Sequence, residues 1–140
     1  MKILFYSSML LALTACQSTT PVKLILPDGN RSYTEWTEED RQKEIAVKPI
    51  FRSPESSAAI IRLKGNERPH YHDQHDLNVS LLSGMSVIHF KDHEVKMLPG
   101  DVVFIPKGAY HWAENIAPSA SIVFAIFSPA YSGKDKRLED

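Results

Sequence analysis

Short apolar segments separated by turn residues dominate the chain from residue 58 onward. Leu77–Leu82 alternates Leu and Val with Asn and Ser, which is the period of a strand with one buried face. Met85–Phe90 and Val95–Leu98 flank a short polar turn and predict a hairpin. Continuous apolar runs predict three further strands, at Ala58–Leu63, Val102–Ile105 and Ser121–Phe127. Short strands with Gly and Pro turns at near-regular spacing predict an all-β barrel or sandwich.

The segment before this block has a weaker pattern. Val22–Leu26 predicts a strand, which ends at a Pro-Asp-Gly-Asn turn. Thr34–Glu44 is polar and charged, and Thr37 with Asp40 three residues later indicates the N-cap of a short helix. We interpret this part as an arm of N-terminal strands that precedes the barrel.

The start of the chain has the build of a secretory signal peptide, with Lys2 before an apolar stretch that is shorter than the roughly 20 residues of a membrane span. The sole cysteine follows in Leu13-Thr14-Ala15-Cys16, which resembles the lipobox of bacterial lipoproteins. The resemblance implies that Cys16 carries a diacylglycerol and acyl chains such as palmitate, which anchor the protein to a membrane. An ordinary signal peptide with an incidental cysteine is the alternative.

Gln17, rather than an acidic residue, follows Cys16, and by the same resemblance this favours the outer membrane, on its periplasmic or surface face. These observations divide the chain into five parts. They are a signal peptide (1–15), a lipidated cysteine with a tether (16–21), the N-terminal arm (22–57), the barrel (58–130) and a polar tail that we expect to be frayed (131–140).

Composition and charge narrow the function classes. A chain of 140 residues with 43% hydrophobic residues and a formal net charge of −1 fits one globular domain. The sequence has no basic cluster to neutralise phosphates, which argues against a nucleic-acid partner. A single cysteine leaves no second thiol for a disulfide within the chain.

The histidines carry the candidate chemistry. His70 and His72 are two residues apart, so both point to one face if the segment is extended. Two imidazoles on one face begin a site for Zn, Cu, Fe, Ni or Mn. His75 and Asp76 follow closely, and barrel closure would bring His111 opposite the first pair.

One segment resembles the second conserved motif of the cupin family, G-x5-P-x-G-x2-H-x3-N, with its five fixed positions at Gly100, Pro106, Gly108, His111 and Asn115. Gly100 permits the turn before a strand. Pro106 and Gly108 shape the turn that aims His111 inward. The Asn115 amide ties down the adjoining backbone.

A partial match to the first cupin motif, G-x5-H-x-H-x3,4-E-x6-G, lies upstream. His70 and His72 are present, and Asp76 stands in place of the glutamate. Gly84 closes the motif after seven intervening residues rather than six, and Gly65 precedes His70 by four rather than five.

By this resemblance the metal ligands fall on His70, His72 and His111, with Asp76 as the carboxylate. Asp is one methylene shorter than Glu, and a difference of one residue in strand register would turn His75 inward in its place. His75 therefore stays open as the alternative to Asp76.

The resemblance implies a double-stranded β-helix, or jelly-roll barrel, that binds a divalent metal and forms a homodimer. One hypothesis is an envelope binding module that holds the metal and a small molecule. The other is a metal-dependent enzyme of the dioxygenase or isomerase type that acts on a small periplasmic molecule. No catalytic residue is assigned, although Tyr110, Glu114 and His75 are nearby acid or base candidates. A barrel that has lost its metal is a third possibility.

Several other residues near the motifs are interpreted as structural. His89 and His93 hold no motif position and are interpreted as bystanders. We expect the aromatic residues Phe104, Tyr110 and Trp112 to pack in the core.

Overall fold

The computed structural model describes residues 23–139, and the regular secondary structure of this part of the chain is β-strand apart from one short helix. The predicted signal peptide, the lipidation site at Cys16 and the tether lie outside the described residues. The elements are β1 (Leu24–Leu26), β2 (Gly29–Arg31), α1 (Glu38–Gln42), β3 (Ile45–Arg52), β4 (Ser57–Leu63), β5 (His70–His72), β6 (Asp76–Ser83), β7 (Ser86–Phe90), β8 (Glu94–Met97), β9 (Val102–Ile105), β10 (His111–Asn115), β11 (Ser121–Ser128) and β12 (Lys136–Leu138). Within residues 23–139, no helix is long and apolar enough to cross a bilayer.

Two five-stranded antiparallel sheets form the barrel, as the all-β prediction requires. One sheet has the order β12-β5-β10-β7-β8 and the other β3-β4-β11-β6-β9. Strand pairs join segments that are distant in the chain, as in the register Ser57↔Phe127 between β4 and β11. The fold is therefore the predicted jelly-roll barrel.

The core lies between the two sheets and follows the alternation seen in the sequence. On β6 the side chains of Leu77, Val79 and Leu81 are buried, whereas Asn78 is exposed. The opposite sheet contributes Ile88 from β7 and Met97 from β8 to the same core. The strands predicted from apolar patterns agree with the observed ones to within about one residue at most ends.

The first part of the N-terminal arm, through α1, covers the outer face of the second sheet, whereas β3 at its end is an edge strand of that sheet. The Asp40 N–H donates to Thr37 Oγ1 at 3.1 Å, which is the predicted cap of α1. Tyr33 and Trp36 pack with Ile60 of β4 and with residues of β3 and β11, including Ala46 and Ile122. This second cluster joins the arm to the barrel.

The prediction of a frayed polar tail is wrong for Lys136–Leu138. These residues form β12, which pairs with β5 in the register Lys136↔His72 and Leu138↔His70. The preceding Asp135 is 6% exposed. The sequence pattern did not predict this strand, because its side chains are mostly charged. An edge strand tolerates polar residues, and its conformation depends on pairing with its neighbour.

The expectation of core packing is also wrong for Phe104, whose side chain is 56% exposed on the edge strand β9. Tyr110 and Trp112 are partly buried. The indole of Trp112 stacks on His89, with 3.8 Å between ring centroids and 7° between planes.

Candidate metal centre

Three histidines from two neighbouring strands meet inside the barrel. His70 and His72 lie on one face of β5, and His111 on β10 pairs directly with His70. The Nε2 atoms of His70 and His72 are 3.2 Å apart. One ring nitrogen from each of the three buried side chains lies within 4.8 Å of the others. The structure therefore brings together the three histidines that the motifs indicated.

Backbone carbonyls orient two of these imidazoles in the same way. The Nδ1–H of His70 donates to the Arg68 carbonyl at 2.8 Å, and that of His111 donates to the Ala109 carbonyl at 3.0 Å. Each bond joins a histidine to the residue two positions earlier. A proton fixed on Nδ1 leaves the Nε2 lone pair free, which is the state that a metal-binding histidine needs.

Burial keeps the three side chains uncharged. It lowers the pKa of His70 to about 3, and the nearby Lys136 ammonium adds to this shift. Burial likewise lowers the pKa of His72 to about 4, where the neighbouring His70 and His111 also disfavour a positive charge. The pKa of His111 is lowered by burial as well. All three are neutral near pH 7, and neutral imidazole is the form that binds a metal.

The turn before β10 shows how the second motif places His111. Gly100 and Gly108 have positive φ angles of 100° and 76°, which favour glycine over any residue with a Cβ. The Ala109 N–H donates to the Pro106 carbonyl at 3.1 Å, and the Gly108 N–H donates to the His72 carbonyl at 2.7 Å. The turn is thus tied to the strand that carries the other two histidines.

Asn115 has the backbone-tying role expected from its motif position. Its amide donates to the carbonyls of Lys64 and Ser119, each at 3.0 Å. Its Oδ1 accepts the Ser121 hydroxyl at 2.6 Å. Gly84 packs against the same serine, because a Cβ added at Gly84 would lie 2.7 Å from the Ser121 Cα.

The structure does not bring Asp76 into the histidine cluster. Its Oδ1 accepts the Lys107 N–H at 2.8 Å, and its neighbour Leu77 faces the core. Successive strand residues face opposite sides, so Asp76 points out of the barrel. Counted back from Gly84 with the motif spacing, Leu77 rather than Asp76 takes the place of the glutamate.

His75, the alternative to Asp76, lies in a second buried group with His72 and Asp135. Its Nδ1 contacts Asp135, and its Nε2–H donates to the Ala130 carbonyl at 3.2 Å. The His75 ring centroid is 6.4 Å from that of His72. Sequence reasoning missed Asp135, because a charged run near the end of the chain gives no local sign of burial.

Of the acid and base candidates, Glu114 lies on β10 and Tyr110 directly precedes this strand. His111 and Ala113 line the interior, so Glu114 lies on the other side of the sheet. The His89 Nε2–H donates a hydrogen bond to Glu114 at 2.8 Å. Tyr110 packs against Tyr71, with 5.6 Å between ring centroids. The structure therefore does not bring these two candidates into the histidine cluster.

The cluster adjoins two spaces of different size. A cavity of about 80 Å³ is lined by the three histidines, by Glu67 and Ser86, and otherwise by apolar side chains. A larger cleft of about 410 Å³ runs along β3 and β4 and reaches His72. Glu67 and Lys136, 3.7 Å apart, line this cleft and give it a polar side, which the motifs did not indicate.

Fold and site together define a cupin-type barrel with three inward histidines. The cupin domain family matches residues 60–127. An uncharacterized protein of Aquifex aeolicus is 40% identical over 93 residues, which cover 66% of this chain and 76% of that protein. The chain belongs to the cupin superfamily.

Solved structures of other proteins share the fold. KdgF from a Halomonas species superposes with a TM-score of 0.60 at 25% identity, over 64% of this chain and 83% of that chain. TT1209 from Thermus thermophilus superposes with a TM-score of 0.60 at 24% identity, over 71% of this chain and 92% of that chain. A cupin-2 domain protein from Shewanella frigidimarina superposes with a TM-score of 0.52 at 21% identity, over 58% of this chain and 78% of that chain.

Proposed function

We propose that this protein is an envelope-anchored cupin that binds a divalent metal through His70, His72 and His111. The observation that carries the proposal is the convergence of three buried, neutral imidazoles, two of them with Nε2 freed by a backbone bond on Nδ1. A donor set of imidazole nitrogens suits Fe, Mn, Ni, Cu or Zn. A metal held there would supply Lewis-acid polarisation of a bound oxygen.

The cleft beside His72 supports a small-molecule ligand as part of this function. It offers an apolar floor from β3 and β4, and the charged pair Glu67 and Lys136 on one side. Few polar groups in a mostly apolar concavity are typical of sites for small molecules. The same cleft favours the second candidate function, a metal-dependent dioxygenase or isomerase, because three protein ligands leave metal positions open to a substrate.

The metal proposal is tested by titration of the protein, purified in detergent and stripped with a chelator, with each of the five metals. We expect one metal per chain, and His111→Ala to weaken binding at least about 100-fold, since each ligand carries a few kcal/mol of the binding free energy. His89→Ala is the matched control, because His89 lies on the adjacent strand outside the cluster. Equal affinity in His111→Ala and the unaltered protein would rule out this site.

The anchor is supported by the resemblance of Leu13-Thr14-Ala15-Cys16 to a lipobox. Cells fed labelled palmitate should incorporate it into the unaltered chain, and Cys16→Ser should abolish both the label and recovery in the membrane fraction. Membrane recovery and labelling of Cys16→Ser at the level of the unaltered chain would refute the anchor, without bearing on the metal site.

A further inference from the structure

One nitrogen of the histidine cluster is left unsatisfied. His70 and His111 each donate Nδ1–H to a carbonyl of their own segment. The Nδ1 of His72 is buried and finds no hydrogen-bond partner among residues 23–139, while its Nε2 faces His70. Buried polar atoms without a partner are rare, and those in native structures commonly mark a functional state that differs from the one observed.

A carboxylate from the C-terminal strand lies next to this nitrogen. Asp135 Oδ2 is 3.8 Å from His72 Nδ1, beyond hydrogen-bond distance but within reach of a small shift. The pairing of Lys136 with His72 holds Asp135 at the end of β12, directly beside the site.

Hydrogen bonds hold the buried Asp135 carboxylate in this position. Its two oxygens accept the Gln74 N–H, each at 3.1 Å, and Oδ2 also contacts His75 Nδ1. The side chain is buried at 6% exposure. A fixed carboxylate oxygen is therefore available to accept a hydrogen bond from His72.

We propose that Asp135 is the positioning carboxylate of the metal site, accepting the Nδ1–H of His72 when a metal is bound at Nε2. This inference rests on the proposed metal-binding function. A metal on Nε2 requires the imidazole proton to be on Nδ1, where an acceptor orients the ring and strengthens the ligand. The C-terminal strand thereby becomes part of the site, and metal binding and docking of β12 stabilise each other.

The position that the family motif assigns to a carboxylate does not supply this acceptor. Asp76 points out of the barrel and accepts the Lys107 N–H. Asp135 supplies a carboxylate instead, from the residue just before β12 in the sheet that carries the histidines, and it acts through His72 rather than by contact with the metal.

The first test uses the unaltered protein in detergent with and without Zn²⁺. We expect Zn²⁺ to slow backbone hydrogen exchange in residues 134–139, and a slowly exchanging His72 Nδ1 proton to appear in ¹H–¹⁵N spectra. Unchanged exchange in residues 134–139 at saturating Zn²⁺, or a His72 ring with no proton on Nδ1, would overturn the inference without the need for any variant.

The second test compares Asp135→Asn with Asp76→Asn as the matched control. We expect Asp135→Asn to weaken Zn²⁺ binding about 10- to 100-fold, as loss of an outer-shell partner does, and Asp76→Asn to leave it unchanged. The visible absorption bands of the Co²⁺-loaded protein should keep their positions in Asp135→Asn, because the direct ligands are the same. If the bands of Asp135→Asn moved to positions that indicate a different coordination number of Co²⁺, Asp135 would be a direct ligand. That result would overturn its positioning role.

The outcomes separate the two claims. If the unaltered protein binds no metal, the proposed function fails and this inference fails with it. If the unaltered protein binds metal and Asp135→Asn binds it equally well, only the role of Asp135 is overturned. The melting temperature of each metal-free variant reports any purely structural damage.

Discussion

The two motif segments differ in how closely the structure follows the family pattern. In the second segment, Gly108, His111 and Asn115 take the roles that the pattern gives them. In the first, the two histidines converge, but Asp76 faces outward. The comparison teaches that positions constrained by local backbone geometry can be transferred from a motif. A ligand position on a strand also depends on the register, because a difference of one residue moves a side chain to the opposite face.

A β-bulge lies beside Gly84 in the first motif segment. The pairing of β11 with β6 shifts between Ile122 and Val123, which pair with Ser83 and Leu81 and leave Leu82 as the extra residue. A bulge changes the alternation of faces along its strand, so a spacing counted across Leu82 does not by itself give the face of Asp76.

The largest effect that sharpens the comparison is expected at the glycines. Gly84→Ala should lower the free energy of unfolding by about 3 kcal/mol, because it combines a φ of 93° with overlap against the Ser121 backbone. Gly108→Ala should cost about 1 kcal/mol, since a Cβ there meets no atom within 4 Å. Urea unfolding of the metal-free protein measures both. Equal losses would mean that close packing does not distinguish the two motif glycines.

The next effect concerns the backbone tie of the second motif. Asn115→Ala should destabilise the protein by about 2 kcal/mol, because the carbonyls of Lys64 and Ser119 lose the amide donor and the Ser121 hydroxyl keeps only Met85 as its partner. Asn78→Ala, on an exposed position of β6, serves as the control and should change stability little. If Asn115→Ala lowered the free energy of unfolding no more than the control does, the hydrogen bonds of Asn115 to the backbone would have no stabilising role.

A pH effect of similar or smaller size is expected from the histidines. In the folded protein the pKa values of His70 and His72 are lowered to about 3 and about 4, so the unfolded chain binds more protons below about pH 6.5. Stability of the metal-free protein should be level above about pH 7 and fall by on the order of 2 kcal/mol by pH 5.5, about 1 kcal/mol for each of the two histidines. Thermal or urea unfolding across this range measures the slope, and His72→Gln should make it shallower. A flat profile would show that the histidines are not held neutral.

The smallest effect should be at Asp76. Asp76→Asn keeps an oxygen to accept the Lys107 N–H, so stability should change by less than about 1 kcal/mol. Loss of bound metal in this variant would restore the ligand role that the motif predicts and break the contrast between the two segments. The same titration used for His111→Ala makes this measurement.

Much of the barrel could be predicted from local sequence signals. Strands such as β6 and β9 have a clear apolar pattern, and the Thr37 cap identified α1. The three histidines were found because a motif fixes their spacing. Asp135 and β12 could not be found in this way, since their positions depend on pairing with β5, more than sixty residues earlier.

The edges of the two sheets have a consequence for self-association. Unpaired edge strands promote aggregation unless charge, proline or a bulge interrupts them. Lys136 and Arg137 place charge on β12, Glu94 and Lys96 do so on β8, and β3 contains Pro49 with a shift in register beside it. Among the four edges of the two five-stranded sheets, β9 has none of these protections and exposes Val102 by 65% and Phe104 by 56%. Sheet-to-sheet association of this protein is therefore least opposed along β9.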